Sequence, residues 1–104
     1  MSLKYYQKQV DDLVQPLEKP YFGPLSGFAR LVEEVGEMGR CLNHKYGDKV
    51  KKTTEAPDDL EGEIGDVLFC LICAANRENI DLDKAMKKVL RKFSTRDADR
   101  FAKK

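Results

Sequence analysis

Apolar residues recur at steps of three and four along most of the chain, the spacing that places them on one face of a helix. This pattern predicts four helices, over residues 3–15, about 25 to 46, about 57 to 78, and from 81 or 83 to about 93. The segments between them are polar or rich in proline and glycine. We therefore expect an all-α fold, a bundle of four to five helices.

Two of the predicted breaks contain residues with alternative roles. Residues 19–24 include two prolines and a glycine, which interrupt the helical pattern. Tyr21 and Phe22 in this break either pack against the core or line a pocket for a flat ring. Residues 47–57 are polar and aperiodic, and their lysines either stay in solvent or reach a polyphosphate.

The third helix is predicted to start near Pro57, because proline and acidic side chains are favoured in a first helical turn. It carries the longest apolar run of the chain, residues 67–75. We expect it to be the most buried element, with a second subunit as one source of cover. On the second helix, Gly36 and Gly39 each cost roughly 1 kcal/mol against alanine. Two such costs suggest the close approach of another backbone or of a ligand.

Composition narrows the classes of protein that this chain can represent. A length of 104 residues predicts one domain, residues 1–104. The 19 basic and 18 acidic residues give a net charge of +1, so no overall field favours nucleic acid or a membrane. The longest apolar run is too short to span a bilayer. Three cysteines without a secretory signal favour reduced thiols and a cytoplasmic location.

Two pairs of carboxylates stand three residues apart, Glu34 with Glu37 and Glu63 with Asp66. On a helix this spacing puts both side chains on one face, one turn apart. Apolar residues share those helices, so part of each pair should point inward, where uncompensated charges are costly. A cation between the pairs would offset the repulsion. Oxygen ligands without an accompanying histidine suit Mg²⁺, with Mn²⁺ as a substitute.

Glu-Glu-x-x-Glu on one helix, followed after about two dozen residues by Glu-x-x-Asp on the next, resembles the MazG family of all-α nucleotide pyrophosphohydrolases. The likeness covers roughly residues 18 to 101 and is closest to the short, single-domain members. It extends to several further segments of the sequence, namely Tyr21-Phe22-x-Pro24-Leu25, Ala29-Arg30-Leu31, Asn43, Tyr46-Gly47-x-Lys49, Asp66-Val67-Leu68-Phe69, Ala75-Asn76, Ile80-Asp81-Leu82 and Lys92-Phe93-x-x-Arg96.

The resemblance implies Mg²⁺-dependent hydrolysis of a nucleoside triphosphate to the monophosphate and pyrophosphate, with clearance of non-standard nucleotides as one role. It supports Glu34, Glu37, Glu63 and Asp66 as the metal ligands. Either Glu33 or Glu34 would take the proton of the attacking water. The resemblance also implies a homodimer or homotetramer whose site is lined partly by the neighbouring chain.

Three residues are candidates for contacts to the nucleotide. Lys92 and Arg96 lie four residues apart on one face of the fourth helix. We expect them to hold the triphosphate, Arg96 as a fork and Lys92 as a point charge. Asn76 lies on the same side of the third helix as Asp66, where its amide would bind a sugar or base. The alternative for Asn76 is an amide satisfied at the helix end.

Other interpretations remain open at this stage. Cys41-x-x-His44 and Cys70-x-x-Cys73 make a possible zinc set. Their positions within helices instead favour the cysteines as small core residues and His44 as a surface or core-edge residue. The basic fourth helix is typical of some nucleic-acid binders, but the neutral net charge argues against that. A helical module that binds a nucleotide or an ion without turnover is the main alternative to an enzyme.

Overall fold

Four helices account for most of the chain in a computed structural model, which describes residues 1–55 and 57–96. The helices are α1 (Leu3–Val14), α2 (Pro24–Tyr46), α3 (Leu60–Arg77) and α4 (Leu82–Thr95). No strand occurs in these two ranges. The all-α prediction is confirmed.

Side-chain and backbone caps explain where the helices begin and end. The Ser2 hydroxyl accepts a hydrogen bond from the backbone N–H of Tyr5 at 3.0 Å and so caps α1. Gly47 ends α2. The third helix starts at Leu60 rather than at Pro57, because the Asp59 carboxylate accepts from the N–H of Gly62 at 3.0 Å and so fixes the first turn.

A second cap joins the first turns of α1 and α4. The Asp83 carboxylate, in the first turn of α4, accepts hydrogen bonds from the N–H groups of Leu3 at 3.1 Å and Lys4 at 3.3 Å. These are donors that the first turn of α1 would otherwise leave without a partner. One side chain therefore ties the start of α4 to the start of α1.

The helices pack around α3, which contacts α2 along one side and α1 along another, while α4 packs against α1. The buried core consists of Val10 and Val14 from α1 and Ile72 from α3. Tyr21, Cys73 and Leu82 pack around it. The core therefore sits toward the C-terminal half of α3, and the N-terminal half, which carries Glu63 and Asp66, is left for other contacts.

A network of side-chain hydrogen bonds lies at the C-terminal end of α3. The Asn76 amide donates to the carbonyl of Gln7 and to the Tyr21 hydroxyl, both at 3.0 Å, and accepts from the Gln7 amide at 3.0 Å. The Gln7 amide also donates to the carbonyl of Ile80 at 2.7 Å. We call Gln7, Tyr21 and Asn76 the Asn76 network. Tyr21 thus packs at the core edge, one of its two expected roles.

Much apolar surface stays uncovered in the single chain. The radius of gyration is 17.2 Å, against about 13 Å for a compact chain of this length. Within one protomer α3 has only Ile72 and Ala75 buried, no more than α1 or α2 has. When partly buried residues are included, α3 has the largest share of residues that are not exposed among the four helices, as expected, but Leu68 and Phe69 remain about 40% exposed.

The two glycines of α2 also face open space. A Cβ atom added at Gly36 or Gly39 would meet no neighbouring atom within 4 Å in the described part of the chain. The close approach that they suggested is therefore not made by this chain itself. None of the described helices is long and apolar enough to cross a membrane.

Candidate active site

Three carboxylates from two helices converge where α2 and α3 pack together. Glu34 from α2 and Glu63 and Asp66 from α3 each place an oxygen within 4.8 Å of the others. We call them the acidic cluster. Glu34 is buried, with 9% of its surface exposed, whereas Asp66 faces solvent. One side of the cluster is thus enclosed and the other is open to an incoming ligand.

Glu37 lies beside this cluster rather than within it. It is exposed, and together with Glu63 it lines a neighbouring cavity of about 120 Å³. Burial and then the charges of Asp66, Glu37 and Glu34 raise the pKa of Glu63 above its usual value. All four acids expected from the sequence therefore interact electrostatically, although only three of them are close enough to share one ion.

Two arginines of α2 offset part of this negative charge. A guanidinium nitrogen of Arg30 lies 3.0 Å from Glu34, one helical turn away. Arg40 lies 3.8 Å from Glu37 and 3.1 Å from Glu55. Neither arginine was predicted to have a role in the site. The Arg30–Glu34 spacing of four residues was nevertheless a readable signal, because such pairs face each other on a helix.

His44 also lines this cavity, among charged residues of α2 and of the loop that follows α2. Its side chain is 3% exposed, with Nδ1 3.1 Å from an Asp58 oxygen and Nε2 3.5 Å from a Glu55 oxygen. Lys51 lies 3.7 Å from the other Asp58 oxygen. We call this group the His44 cluster; its members are Arg40, His44, Lys51, Glu55 and Asp58.

Electrostatics hold the two acids of the His44 cluster in their charged forms. The hydrogen bond with His44, supported by the charge of Lys51, lowers the pKa of Asp58. Burial raises the pKa of Glu55, but the hydrogen bond and charge of Arg40 and the charge of His44 together lower it below its usual value. The loop lysine Lys51 therefore pairs with Asp58 within the protein instead of lying free in solvent.

The zinc alternative is not supported by this geometry. In the ranges that the structure describes, the acidic cluster is the only group of three or more potential ligands that lie close enough to hold one ion. Cys41 is buried, and Cys70 and Cys73 are partly buried. The ring nitrogens of His44 face Glu55 and Asp58 rather than the cysteines. The cysteines therefore act as small residues in the core and at its boundary.

The remaining predicted site residues lie outside the acidic cluster. Glu33 is exposed, on the neighbouring face of α2. The Asn76 amide is used by Gln7 and Tyr21. Lys92 is exposed on α4, with its ammonium 5.5 Å from the centre of the Phe93 ring, and Arg96 is exposed at the end of that helix.

The sequence of this chain matches a model of a known protein family. The model for the MazG nucleotide pyrophosphohydrolase domain matches residues 22–101. The chain belongs to this family. The resemblance expected from the acid spacing is thereby confirmed, together with the fold class and the assignment as a hydrolase.

This MazG domain is similar to a Bacillus subtilis protein and to solved structures. The uncharacterised protein YpjD of Bacillus subtilis strain 168 is 48% identical over 103 residues, which span 99% of this chain and 93% of that protein. The crystal structure of YPJD from Bacillus subtilis, assigned as a pyrophosphatase, matches with a TM-score of 0.82 and 46% identity, over 91% of this chain and 97% of that one. A Bacillus-conserved MazG protein, a nucleotide pyrophosphohydrolase, matches with a TM-score of 0.79 and 44% identity, over 95% and 96% of the two chains.

Proposed function

We propose that this MazG domain hydrolyses a nucleoside triphosphate, ribo or deoxy, to the monophosphate and pyrophosphate in a Mg²⁺-dependent reaction. The observation that carries the proposal is the convergence of Glu34, Glu63 and Asp66 within 4.8 Å. A triphosphate is strongly anionic and would be repelled by these carboxylates alone. Substrate and acidic cluster are compatible only if cations lie between them.

The donor set fits a hard divalent cation. The cluster offers carboxylate oxygens and no sulfur or imidazole nitrogen, which suits Mg²⁺ or Mn²⁺. Burial and then the neighbouring carboxylates raise the pKa of Glu63, and a cation would relieve the repulsion among these carboxylates. We propose Glu34, Glu63 and Asp66 as ligands, with Glu37 as the fourth. A divalent ion held there neutralises polyphosphate charge and lowers the pKa of a coordinated water.

The other residues have roles that follow from their positions. Glu33, exposed on α2 beside the buried Glu34, and Glu34 itself are the candidates to accept a proton from the attacking water. Lys92 and Arg96 would bind the triphosphate and offset charge on the leaving pyrophosphate. Asn76 would reach the sugar or base only by giving up bonds within the Asn76 network, so we rank it below the two cations.

An assembly of copies would complete this site. The acids lie on α2 and α3, whereas Lys92 and Arg96 lie on α4, which packs against α1. Exposed apolar side chains on α4, such as Leu90 at 62% and Phe93 at 53%, and on α3, such as Leu68 at 43%, favour burial against a second copy. We therefore propose a homodimer or homotetramer in which α4 brings its basic face to a neighbour's acids.

Product analysis tests the reaction directly. The purified protein would be incubated with ribo- and deoxynucleoside triphosphates, including oxidised bases, with and without Mg²⁺. We expect monophosphate and pyrophosphate, formed only when Mg²⁺ is present. Release of inorganic phosphate would contradict the cleavage position. A folded protein that binds nucleotide or Mg²⁺ but forms no product would instead be a binding module.

Matched variants test the ligand assignment. Glu37→Gln, Glu63→Gln and Asp66→Asn should each lower turnover by more than about 100-fold, since even the partners of metal ligands cost 10–100-fold when removed. Helical content by circular dichroism should be unchanged. Glu61→Gln is the control, because Glu61 is an exposed carboxylate on the same helix outside the cluster. Near-normal turnover of any of the three variants would refute that ligand.

Mass measurement tests the assembly. Light scattering coupled to size exclusion should give two or four times the mass of the 11.9 kDa chain. Leu90→Glu places a charge in the apolar face of α4 and should shift the mass toward the monomer, with loss of activity because the site is split. A fully active monomer would contradict the proposal.

A further inference from the structure

The cavity beside the acidic cluster joins the proposed metal site to the His44 cluster. Its walls include two of the proposed ligands, Glu37 and Glu63, together with His44, Glu55 and Asp58 of the His44 cluster. The cavity volume is about 120 Å³. The His44 cluster and two of the proposed ligands therefore line one small space.

The His44 imidazole is buried between two carboxylates. Its side chain is 97% buried, since only 3% is exposed, yet both ring nitrogens face carboxylates. The 3.5 Å contact with Glu55 is not a hydrogen bond, and within the described chain His44 Nε2 and Glu55 Oε2 have no hydrogen-bond partner. The two carboxylates therefore contact the ring at its two separate nitrogen atoms, and His44 lies between them.

This imidazole fastens a loop to a helix. His44 belongs to α2, whereas Glu55 and Asp58 lie in the segment before α3. That segment has no helix or strand of its own between Gly47 and Asp59 in its described residues. Its position therefore depends on side-chain contacts, of which the His44 cluster supplies the ion pairs with α2.

Two sets of contacts connect the His44 cluster to the proposed metal ligands Glu37 and Glu63. Arg40 bridges them directly, because it lies 3.1 Å from Glu55 and 3.8 Å from Glu37. The second connection runs along the chain. Asp58 is followed by Asp59, which caps α3 with its side chain and accepts from the backbone N–H of Glu63 with its carbonyl at 3.0 Å. The place of Asp58 thus sets where the first turn of α3 begins.

We infer that His44 is a positioning residue: by clamping Glu55 and Asp58 onto α2 it fixes the start of α3 and the placement of Glu63 opposite Glu37. This inference rests on the proposed function, since it assigns His44 a role in metal binding by that same site. His44 does not touch the metal or the substrate. It acts through the two carboxylates of the loop and through Arg40.

Two variants at this position separate charge from volume. His44→Phe keeps the ring volume and removes both contacts, whereas His44→Gln keeps one amide donor. We expect His44→Phe to weaken Mn²⁺ binding by about 10-fold, as removal of a group that orients a ligand does, with unchanged helical content. His44→Gln should recover part of that loss. Thr54→Ala, an exposed change in the same loop, is the matched control and should bind Mn²⁺ like the unaltered protein.

Hydrogen exchange of residues 47–59 supplies a readout that needs no metal. His44→Phe should speed exchange of these amides by about 10-fold, and cleavage by trypsin after the loop lysines should quicken with it. Asp58→Asn and Glu55→Gln are near-isosteric changes on the other side and should act in the same direction. These variants keep the test valid if His44→Phe does not fold.

The outcomes distinguish this inference from the proposed function. Unchanged loop exchange in His44→Phe would overturn the fastening, and faster exchange with unaltered Mn²⁺ affinity would overturn the positioning role. If the unaltered protein bound no Mn²⁺, the metal site of the proposed function would fail, and the positioning role with it. Loop exchange would then still decide whether His44 fastens the loop.

Discussion

The two ends of α3 are held by different chemistry. At the C-terminal end the Asn76 network consists mainly of amides, a phenol and backbone carbonyls, with donor–acceptor distances of 2.7–3.0 Å, and the Tyr21 hydroxyl also donates to the Asp11 carboxylate. At the N-terminal end the contacts are ionic, and several are longer than 3.4 Å. The first end holds the core together, whereas the second surrounds the acids that would bind metal and nucleotide.

This difference separates the requirements of folding from those of catalysis. Neutral hydrogen bonds between partly buried groups give stability that changes little with salt or with pH near neutrality. Crowded charges reduce stability until a ligand neutralises them, and such sites are often the less stable parts of a protein. We therefore expect variants at the C-terminal end to lower the free energy of unfolding most, and variants at the N-terminal end to change ligand binding, with smaller changes in stability that depend on pH and on metal.

The largest effect on unfolding should come from Asn76→Ala. The change removes three hydrogen bonds and leaves the Gln7 carbonyl and amide with fewer partners, at a cost of about 2 kcal/mol or more. Urea denaturation would measure it. Asn43→Ala, an exposed asparagine on α2, should change the free energy of unfolding by less than about 0.5 kcal/mol. A stable Asn76→Ala with a raised KM would instead assign Asn76 to the nucleotide.

Tyr21 should have the next largest effect. Burial and then the hydrogen bond with Asp11 raise the pKa of Tyr21 to about 12. Because the folded pKa exceeds the unfolded one, this stability is fully present below about pH 10 and is lost as pH rises through about 12. Absorbance at 295 nm should show one tyrosine that titrates late, and Tyr21→Phe should remove that step and cost about 1 kcal/mol. Four tyrosines that titrate together would contradict the assignment.

At the charged end we expect a substitution that stabilises. The pKa of Glu63 is raised, first by burial and then by Asp66, Glu37 and Glu34. Its contribution to stability is therefore fully present below the unfolded value of 4.5 and is lost as pH rises through the folded pKa. Glu63→Gln should raise the melting temperature at neutral pH without metal, and should abolish the increase that Mg²⁺ gives the unaltered protein. Glu61→Gln should do neither.

The smallest effect should appear at acid pH in the His44 cluster. The hydrogen bond with His44 and the charge of Lys51 lower the pKa of Asp58 below 3.8. Its stabilising contribution is thus present above about pH 4 and is lost as pH falls through the folded pKa. Asp58→Asn should melt lower than the unaltered protein at pH 6, and the gap should close toward pH 3. Asp12→Asn, in an exposed pair with Lys8, is the control, and an equal gap at both pH values would refute the prediction.

Features that depend on neighbouring residues in the chain were predictable from the sequence. Helical periodicity located all four helices, and the spacing of Glu63 and Asp66 placed both on one face of α3. Gly47 was recognisable as the end of α2. The convergence of Glu34 with the pair on α3 was expected from the family resemblance and from the cost of isolated buried charge.

Features that depend on the path of an irregular loop were not predictable in this way. His44 and Asp58 are 14 residues apart, across a segment without periodicity, so no pattern indicated that they would meet. The start of α3 was misplaced for the same reason, since Asp58 bonds with His44 and leaves Asp59 to cap the helix. The apolar run of α3 predicted its rank as the most buried helix, but sequence hydrophobicity did not indicate that Leu68 and Phe69 would remain about 40% exposed in the single chain.

The Asp83 cap on α1 has a consequence for how the protein is made. The N–H groups of Leu3 and Lys4 donate to Asp83, which lies 80 and 79 residues later in the chain. The first turn of α1 therefore cannot be fully capped until Asp83 has been synthesised and has left the ribosome. The α2–α3 hairpin needs only nearer neighbours and can form earlier. We expect nascent chains cut short before residue 83 to pack α1 on α3 through Val10, Val14 and Ile72 but to leave the first turn of α1 without the Asp83 cap, so that this turn frays and is open to proteases.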